Sequence, residues 1–218
     1  MSNITLIPQA FPTPKERDKI INLYKHLRLA GLKQDPKAFS ATYEAEAEFP
    51  YEKWLSRIQN PQARTFIALK RDDTVHSPDD GLTALLSREW LGTVTIVGPK
   101  FAFSSEIDLN APWMVFTEGD RYTTPPANDT DAVAVYMITG MFVLPASRAK
   151  GNGRRLVEEA VKYARGASAT MRTLLVLLVE ADNEAARKFY ERCGFQKCNE
   201  EVVLGGHNTV GMILDTGK

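Results

Sequence analysis

A chain of 218 residues carries 27 basic and 27 acidic side chains, no formal net charge, and 44% hydrophobic residues. This length suits one domain of about 150–200 residues plus elaborations, able to bury a core without disulfide or metal staples. The balanced charge argues against a dedicated nucleic-acid binder, which would usually be basic.

Ile4-Thr5-Leu6-Ile7 alternates weakly and can form a first strand. From Pro14 to Leu32, Ile20, Ile21, Leu23, Tyr24, Leu27 and Leu29 recur at roughly helical spacing, with Gly31 near the end. His26 sits among Leu23, Leu27 and Ala30 and reads as structural. Phe39–Phe49 and Tyr51–Ile58 form a helical region broken by Pro50, and Trp54 is expected in the core. Thr65–Leu69 reads as a strand, Arg71–Gly81 as polar and turn-rich. Leu82–Arg88 is apolar, and Trp90–Val97 is a strand with β-branched alternation.

About residues 98–131, Pro99, Pro112, Pro125, Pro126 and a polar stretch from Thr117 interrupt the pattern. This is a loop-rich insertion between two sheet strands. Its Trp113, Phe116 and Tyr122 either cover a cleft or pack as a satellite cluster, and the second reading is favoured. Val133–Leu144 is strand-like, and Gly140 inside it suggests a bulge or a close backbone approach.

The most informative stretch follows: Arg148-Ala149-Lys150-Gly151-Asn152-Gly153-Arg154-Arg155. After it Leu156, Val157, Ala160, Val161 and Ala164 line one side of a helix. A strand, a glycine turn flanked by cations and a helix start make a place for an anion. The first helical turn has N–H groups without internal partners, the helix dipole adds positive potential, and glycines let a phosphate approach. The chain has no G-x-x-x-x-G-K-[ST] string, and Leu156 stands where G-x-G-x-x-G needs its third glycine, so ATP and NAD signatures both fail. Arg148-x-x-Gly151-x-Gly153 remains.

Leu174–Val179 is a continuous apolar run, typical of a strand buried on both faces, and it ends at Glu180-Ala181-Asp182-Asn183. Glu184–Cys193 is a short helical pattern with Ala186, Phe189, Tyr190 and Cys193 on one stripe. Asp182 or Asn183 can be its N-cap, Gly194 its closing glycine, and Phe195 opens another strand. The element order gives a mixed α/β sheet with helices on both faces.

The two cysteines, Cys193 and Cys198, form neither a disulfide framework nor a zinc site; free thiols in a reducing compartment are the simple reading. His76 and His207 form no metal cluster by spacing, so no metal is expected. No apolar stretch follows a basic one in the first thirty residues, and no run approaches the eighteen or so residues that span a bilayer. A soluble cytoplasmic protein without membrane contacts is expected.

Val143-Leu144-Pro145, Arg148-x-x-Gly151-x-Gly153 and Asn183-x-x-Ala186-x-x-Phe189-Tyr190-x-x-x-Gly194-Phe195 together resemble the GNAT superfamily of acyl-CoA-dependent N-acetyltransferases, over about residues 133–198. The resemblance implies one GNAT domain over residues 1–218. Its α/β sheet would be mixed, mostly antiparallel and twisted, of about six to seven strands, splayed at the acyl-CoA site. It implies acetyl transfer from acetyl-CoA to a primary amine of a small molecule or peptide, by direct attack in a ternary complex. The cofactor residues would be Met141, Phe142 and Val143 by their backbone, Arg148, Ala149, Lys150, Gly151, Asn152, Gly153 and Arg154 around the diphosphate, and Asn183 and Arg187. Tyr190 would protonate the leaving thiolate. Phe39, Tyr43 and Glu44 would face the acceptor, with Glu46 and Glu48 under the same suspicion.

One departure stands out: Leu178 occupies the place where many members carry a glutamate base. Glu180, two residues on and on the same strand face, is the candidate substitute; a water chain or Glu106 is the alternative. Leu178 also keeps open a catalytically silent acyl-CoA-binding module. The acceptor's identity and a homodimer are left open.

Overall fold

Thr13 starts the longest helix, α1 (Pro14–Gln34), by accepting a hydrogen bond from the Glu16 N–H, with Pro14 in the first turn. The helix stops at Asp35, whose N–H donates to the Gly31 carbonyl, and a 3-10 turn follows at Pro36–Ala38. Thr42 caps the short α2 (Tyr43–Ala47), and α3 (Tyr51–Ile58) begins after Pro50. The structure is a computed structural model that describes residues 2–71, 81–119, 121–125, 131–204 and 206–217. Most of the Arg71–Gly81 stretch, with His76, lies outside the described residues.

The remaining helices are α4 (Gly81–Ser87), α5 (Asn152–Ala167) and α6 (Glu184–Arg192). The strands are β1 (Asn3–Leu6), β2 (Ala63–Leu69), β3 (Trp90–Phe103), β4 (Ala132–Val143), β5 (Arg172–Glu180), β6 (Gln196–Leu204) and β7 (His207–Asp215). They join in one seven-stranded sheet in the order β1-β2-β3-β4-β5-β7-β6. The β1–β2, β5–β7 and β6–β7 pairs are antiparallel, whereas β4 and β5 run parallel. The parallel register runs from Val133 opposite Arg172 to Met137 opposite Val176.

Two segments differ from the reading of the sequence. Leu82–Arg88 carries no alternation that decides its type, and it folds as α4. The insertion starts later than expected, because β3 continues through Gly98 and Pro99 to Phe103. Gly98 makes this possible: its φ is +129°, and a Cβ there would lie 2.8 Å from the Val135 carbonyl oxygen.

The chain divides into two compact units, residues 1–95 with 140–160 and residues 96–139 with 161–218. The first has its own core, built from Ile20, Ile21 and Leu27 of α1, Trp54 and Ile58 of α3, Ile67 and Leu69 of β2, Leu85 of α4 and Phe142 of β4. In the second, Trp113, Val115 and Tyr122 of the insertion pack with Val133 and Val135 of β4 and Leu174 and Val176 of β5; Phe116 joins them. The insertion's aromatics thus form a core cluster. Trp113 lies so close over β7 that a Cβ on Gly211 would fall 1.7 Å from its ring.

Gly211→Ala should therefore destabilise the protein by about 1–3 kcal/mol through overpacking. Urea denaturation reads this as a lower midpoint; an unchanged midpoint would show that Trp113 moves aside without cost.

Candidate functional site

The glycine loop leaves β4 through a 3-10 turn at Pro145–Ser147. Ala149 then adopts φ +57° and Gly151 φ +78°, and α5 begins at Asn152. Positive φ at Ala149 and Gly151, with Lys150 between them not positive, is the alternation of hand from which anion-binding nests are built. Buried Asn152 fixes the loop from inside, donating through Nδ2 to the Ser147 carbonyl at 2.8 Å. Among the described residues, the N–H groups of Ala149, Lys150, Gly151, Asn152 and Gly153 have no hydrogen-bond acceptor.

The loop's cations are engaged by the chain itself. Lys150 Nζ donates to the Ala146 carbonyl at 2.7 Å, Arg154 Nε to Glu158 at 2.8 Å, and Arg155 to the Ser2 carbonyl at 2.6 Å. Arg148 Nε donates to the Val143 carbonyl at 2.9 Å, and its Nη2 pairs with the Asp35 carboxylate. Its guanidinium also stands 5.8 Å from the Phe142 ring centroid. What the loop offers an anion is first its main chain.

Before the loop, Gly140 takes φ +59° within β4. Met141 is half-buried, and Val143 is buried. The Phe142 ring packs so closely on α1 that a Cβ on Gly31 would lie 3.1 Å from it. Phe142 therefore serves the core with its side chain and could serve a ligand only with its backbone.

In the second unit Asn183 caps α6, its Oδ1 accepting from the Ala186 N–H at 3.0 Å. Arg187 carries a buried Nε with no partner among the described residues. Tyr190 is 7% exposed, its ring edge-on to Phe189 at 5.0 Å and Phe195 at 5.6 Å. Burial, with a smaller contribution from Cys193, pushes the Tyr190 hydroxyl well above its ordinary pKa, so it stays protonated. Glu180 is half-buried at the end of β5, opposite Thr209, on the strand face shared by Val176 and Leu178. Leu178 packs into the core of this unit. Glu106 caps the insertion instead: it accepts from the Phe103 N–H at 3.1 Å and pairs with Arg121 at 3.1 Å. Cys193 and Cys198 are free thiols, and burial above all pushes Cys198 up to about 11.

On α1–α3, Arg28 stacks over Phe39 at 4.6 Å, Lys33 stands 5.8 Å from the Tyr43 ring, and Glu44 is exposed. Glu46, under suspicion of facing the acceptor, is instead 1% exposed. Its oxygens accept from Arg28 Nε and Nη2 at 3.0 and 2.9 Å and from Arg57 Nη1 and Nη2 at 2.8 and 2.9 Å. Burial raises its pKa, but the hydrogen bonds from Arg57 and Arg28 outweigh it and bring it down to about 2. Sequence reading missed this pairing; the signal was two arginines on neighbouring apolar helices. His26 is exposed, its Nδ1 2.7 Å from the Asn22 carbonyl. Among the described residues no three His, Cys, Asp or Glu side chains are placed to hold a metal ion, and no helix is long and apolar enough to cross a membrane.

Residues 113–195 match the Acetyltransferase (GNAT) family. No curated protein sequence matches the chain. Among solved structures, it is similar to Arabidopsis thaliana NAA60 in complex with a bisubstrate analogue, with TM-score 0.56 and 16% identity over 99% of this chain and 100% of that one. YncA from Salmonella typhimurium with its cofactor acetyl-CoA gives TM-score 0.52 and 16% identity over 100% and 96%. An acyl-CoA N-acyltransferase from Pseudomonas aeruginosa gives TM-score 0.51 and 16% identity over 98% and 99%. At such identity the likeness is one of fold.

Glu46 yields a prediction. A carboxylate whose pKa is depressed on folding stabilises the protein above its ordinary pKa, 4.5, and that contribution is lost as pH falls toward about 2. Wild-type urea midpoints should drop across this window, and Glu46→Gln should start lower at pH 7 and lack this part of the drop. Parallel profiles for the two proteins would refute the assignment.

Proposed function

We propose that the chain, which matches the Acetyltransferase (GNAT) family over residues 113–195 and shares the fold of solved GNAT structures, moves an acetyl group from acetyl-CoA to a primary amine of a small molecule or peptide, by direct attack in a ternary complex. The observation that carries this reading is the run of acceptor-free amides from Ala149 to Gly153 in a left-handed turn at the start of α5. A diphosphate satisfies such amides, gains from the helix dipole and meets no Cβ at Gly151 or Gly153.

In this reading the whole chain acts as one acyltransferase domain. The backbone of Met141, Phe142 and Val143 accompanies the pantetheine arm. Asn183 and the buried, unpartnered Arg187 Nε contribute donors to the same cosubstrate. Lys150 and Arg154 add charge around the diphosphate. A neutral amine attacks the thioester carbonyl, and a Phe142 or Val143 N–H stabilises the oxyanion. Electrons of the broken C–S bond leave on sulfur, and the protonated Tyr190 hydroxyl supplies its proton. The amine's own proton leaves through Glu180 or through water. Phe39, Tyr43 and Glu44 face the acceptor; the cations beside the two rings favour a partner that tolerates positive charge nearby.

A second reading, an acyl-CoA-binding module without turnover, is favoured by the core packing of Leu178 where a base is common. Thiol release from acetyl-CoA with a panel of amines separates the two; tight binding without release on any amine supports the module.

Tyr190→Phe should lower kcat roughly 10²-fold with the acetyl-CoA Kd almost unchanged, since it removes a proton donor and keeps the ring. An unchanged kcat would take Tyr190 out of the mechanism. Gly151→Val should weaken acetyl-CoA binding roughly tenfold or more in calorimetry, because a β-branched residue is strained at this φ and its Cβ obstructs the amides. Wild-type affinity in a folded variant would remove the loop from the cosubstrate site.

A further inference from the structure

Arg148 is held from three sides. Its Nε donates to the Val143 carbonyl at 2.9 Å, its Nη2 pairs with Asp35, and its guanidinium stands beside the Phe142 ring. Asp35 is itself a fixed corner. Its N–H donates to the Gly31 carbonyl at 2.9 Å, closing α1, and its carbonyl accepts from the Ala38 N–H at 2.9 Å. Arg148 thus ties the end of α1 to the end of β4 across a sequence separation of 113 residues. The next residue, Ala149, is the one non-glycine residue with positive φ among those described. Such a residue costs about 1 kcal/mol or more and persists only where its surroundings fix the backbone. The adjacent fixed point is the anchored Arg148.

We propose that Asp35 is a positioning residue for the diphosphate amides: it locks Arg148 as a strut that holds Ala149 left-handed and so aims the N–H groups of Ala149 to Gly153. The inference rests on the loop being the diphosphate site, and it changes the role of Arg148. The guanidinium acts through the backbone it fixes, and the main chain binds the anion.

The test is acetyl-CoA calorimetry on wild type, Asp35→Asn, Arg148→Gln, their double variant and Arg148→Lys, with steady-state kinetics alongside. Asn keeps the backbone corner at position 35 and removes the charge. Each single variant should bind acetyl-CoA roughly threefold to tenfold more weakly, the scale of losing one charged hydrogen bond in a half-exposed pair. The double variant should be no weaker than the worse single one, because both break the same strut. The KM for acetyl-CoA should rise while kcat and the amine KM hold, a split that general loosening of the fold would not give. Arg148→Lys should lose as much as Arg148→Gln, since a lysine keeps charge but cannot reach Asp35 and the Val143 carbonyl as a fork. Additive losses in the double variant, affinity retained in Arg148→Lys, or unchanged or tighter binding in Asp35→Asn would each overturn the inference. If wild type itself failed to bind acetyl-CoA, the loop reading would fall with it; binding that survives Asp35→Asn overturns this inference alone.

Discussion

One carboxylate, that of Glu46, decides how the first unit is assembled. Taking it out of water is costly, and only two guanidiniums placed on both of its oxygens make the burial tolerable. Arg28 belongs to α1, Glu46 to α2 and Arg57 to α3, so satisfying the charge fixes three helices at once. With α1 fixed, Gly31 meets the Phe142 ring and Asp35 meets Arg148. The helix that carries one arm of the ion cluster thus also carries the contacts that meet Phe142, and it ends at the residue that meets Arg148.

The second unit is organised by shape more than by charge. Trp113 lies over a glycine that leaves it room, and β4 and β5 supply the apolar face beneath it. α6 follows β5 directly because Asn183 ends one element and caps the next. That short connection sets Tyr190 between Phe189 and Phe195, where burial keeps its proton on.

Local features of this architecture were legible in the sequence. The helical spacing in Pro14–Leu32, the break at Pro50, the cap at Asn183 and the glycine-basic turn after a strand each depend on residues a few positions apart. The GNAT fold followed from two such motifs in order. Long-range pairings were not legible. Glu46 finds Arg28 and Arg57 on two other helices, a pairing that arginines on neighbouring helices allow but do not single out, and nothing near Arg148 points to Asp35. Leu82–Arg88 was ambiguous because seven apolar-rich residues fit either period, and packing decided for α4. The loop cations invited a reading by charge, but a sequence cannot show that carbonyls and carboxylates of the same chain already hold them.

That internal engagement has a consequence for the solution behaviour of the loop. Attraction between a ligand and loose surface cations fades as ions accumulate within a Debye length of about 10 Å at 0.1 M. Here Arg148 and Arg154 are paired with carboxylates of the same chain, whereas Lys150 rests on a backbone carbonyl, which leaves its charge in place. In the proposed reading, the amides would hold a phosphate group at short range and in a fixed direction, while the charge left on Lys150 would give its approach a dependence on ionic strength.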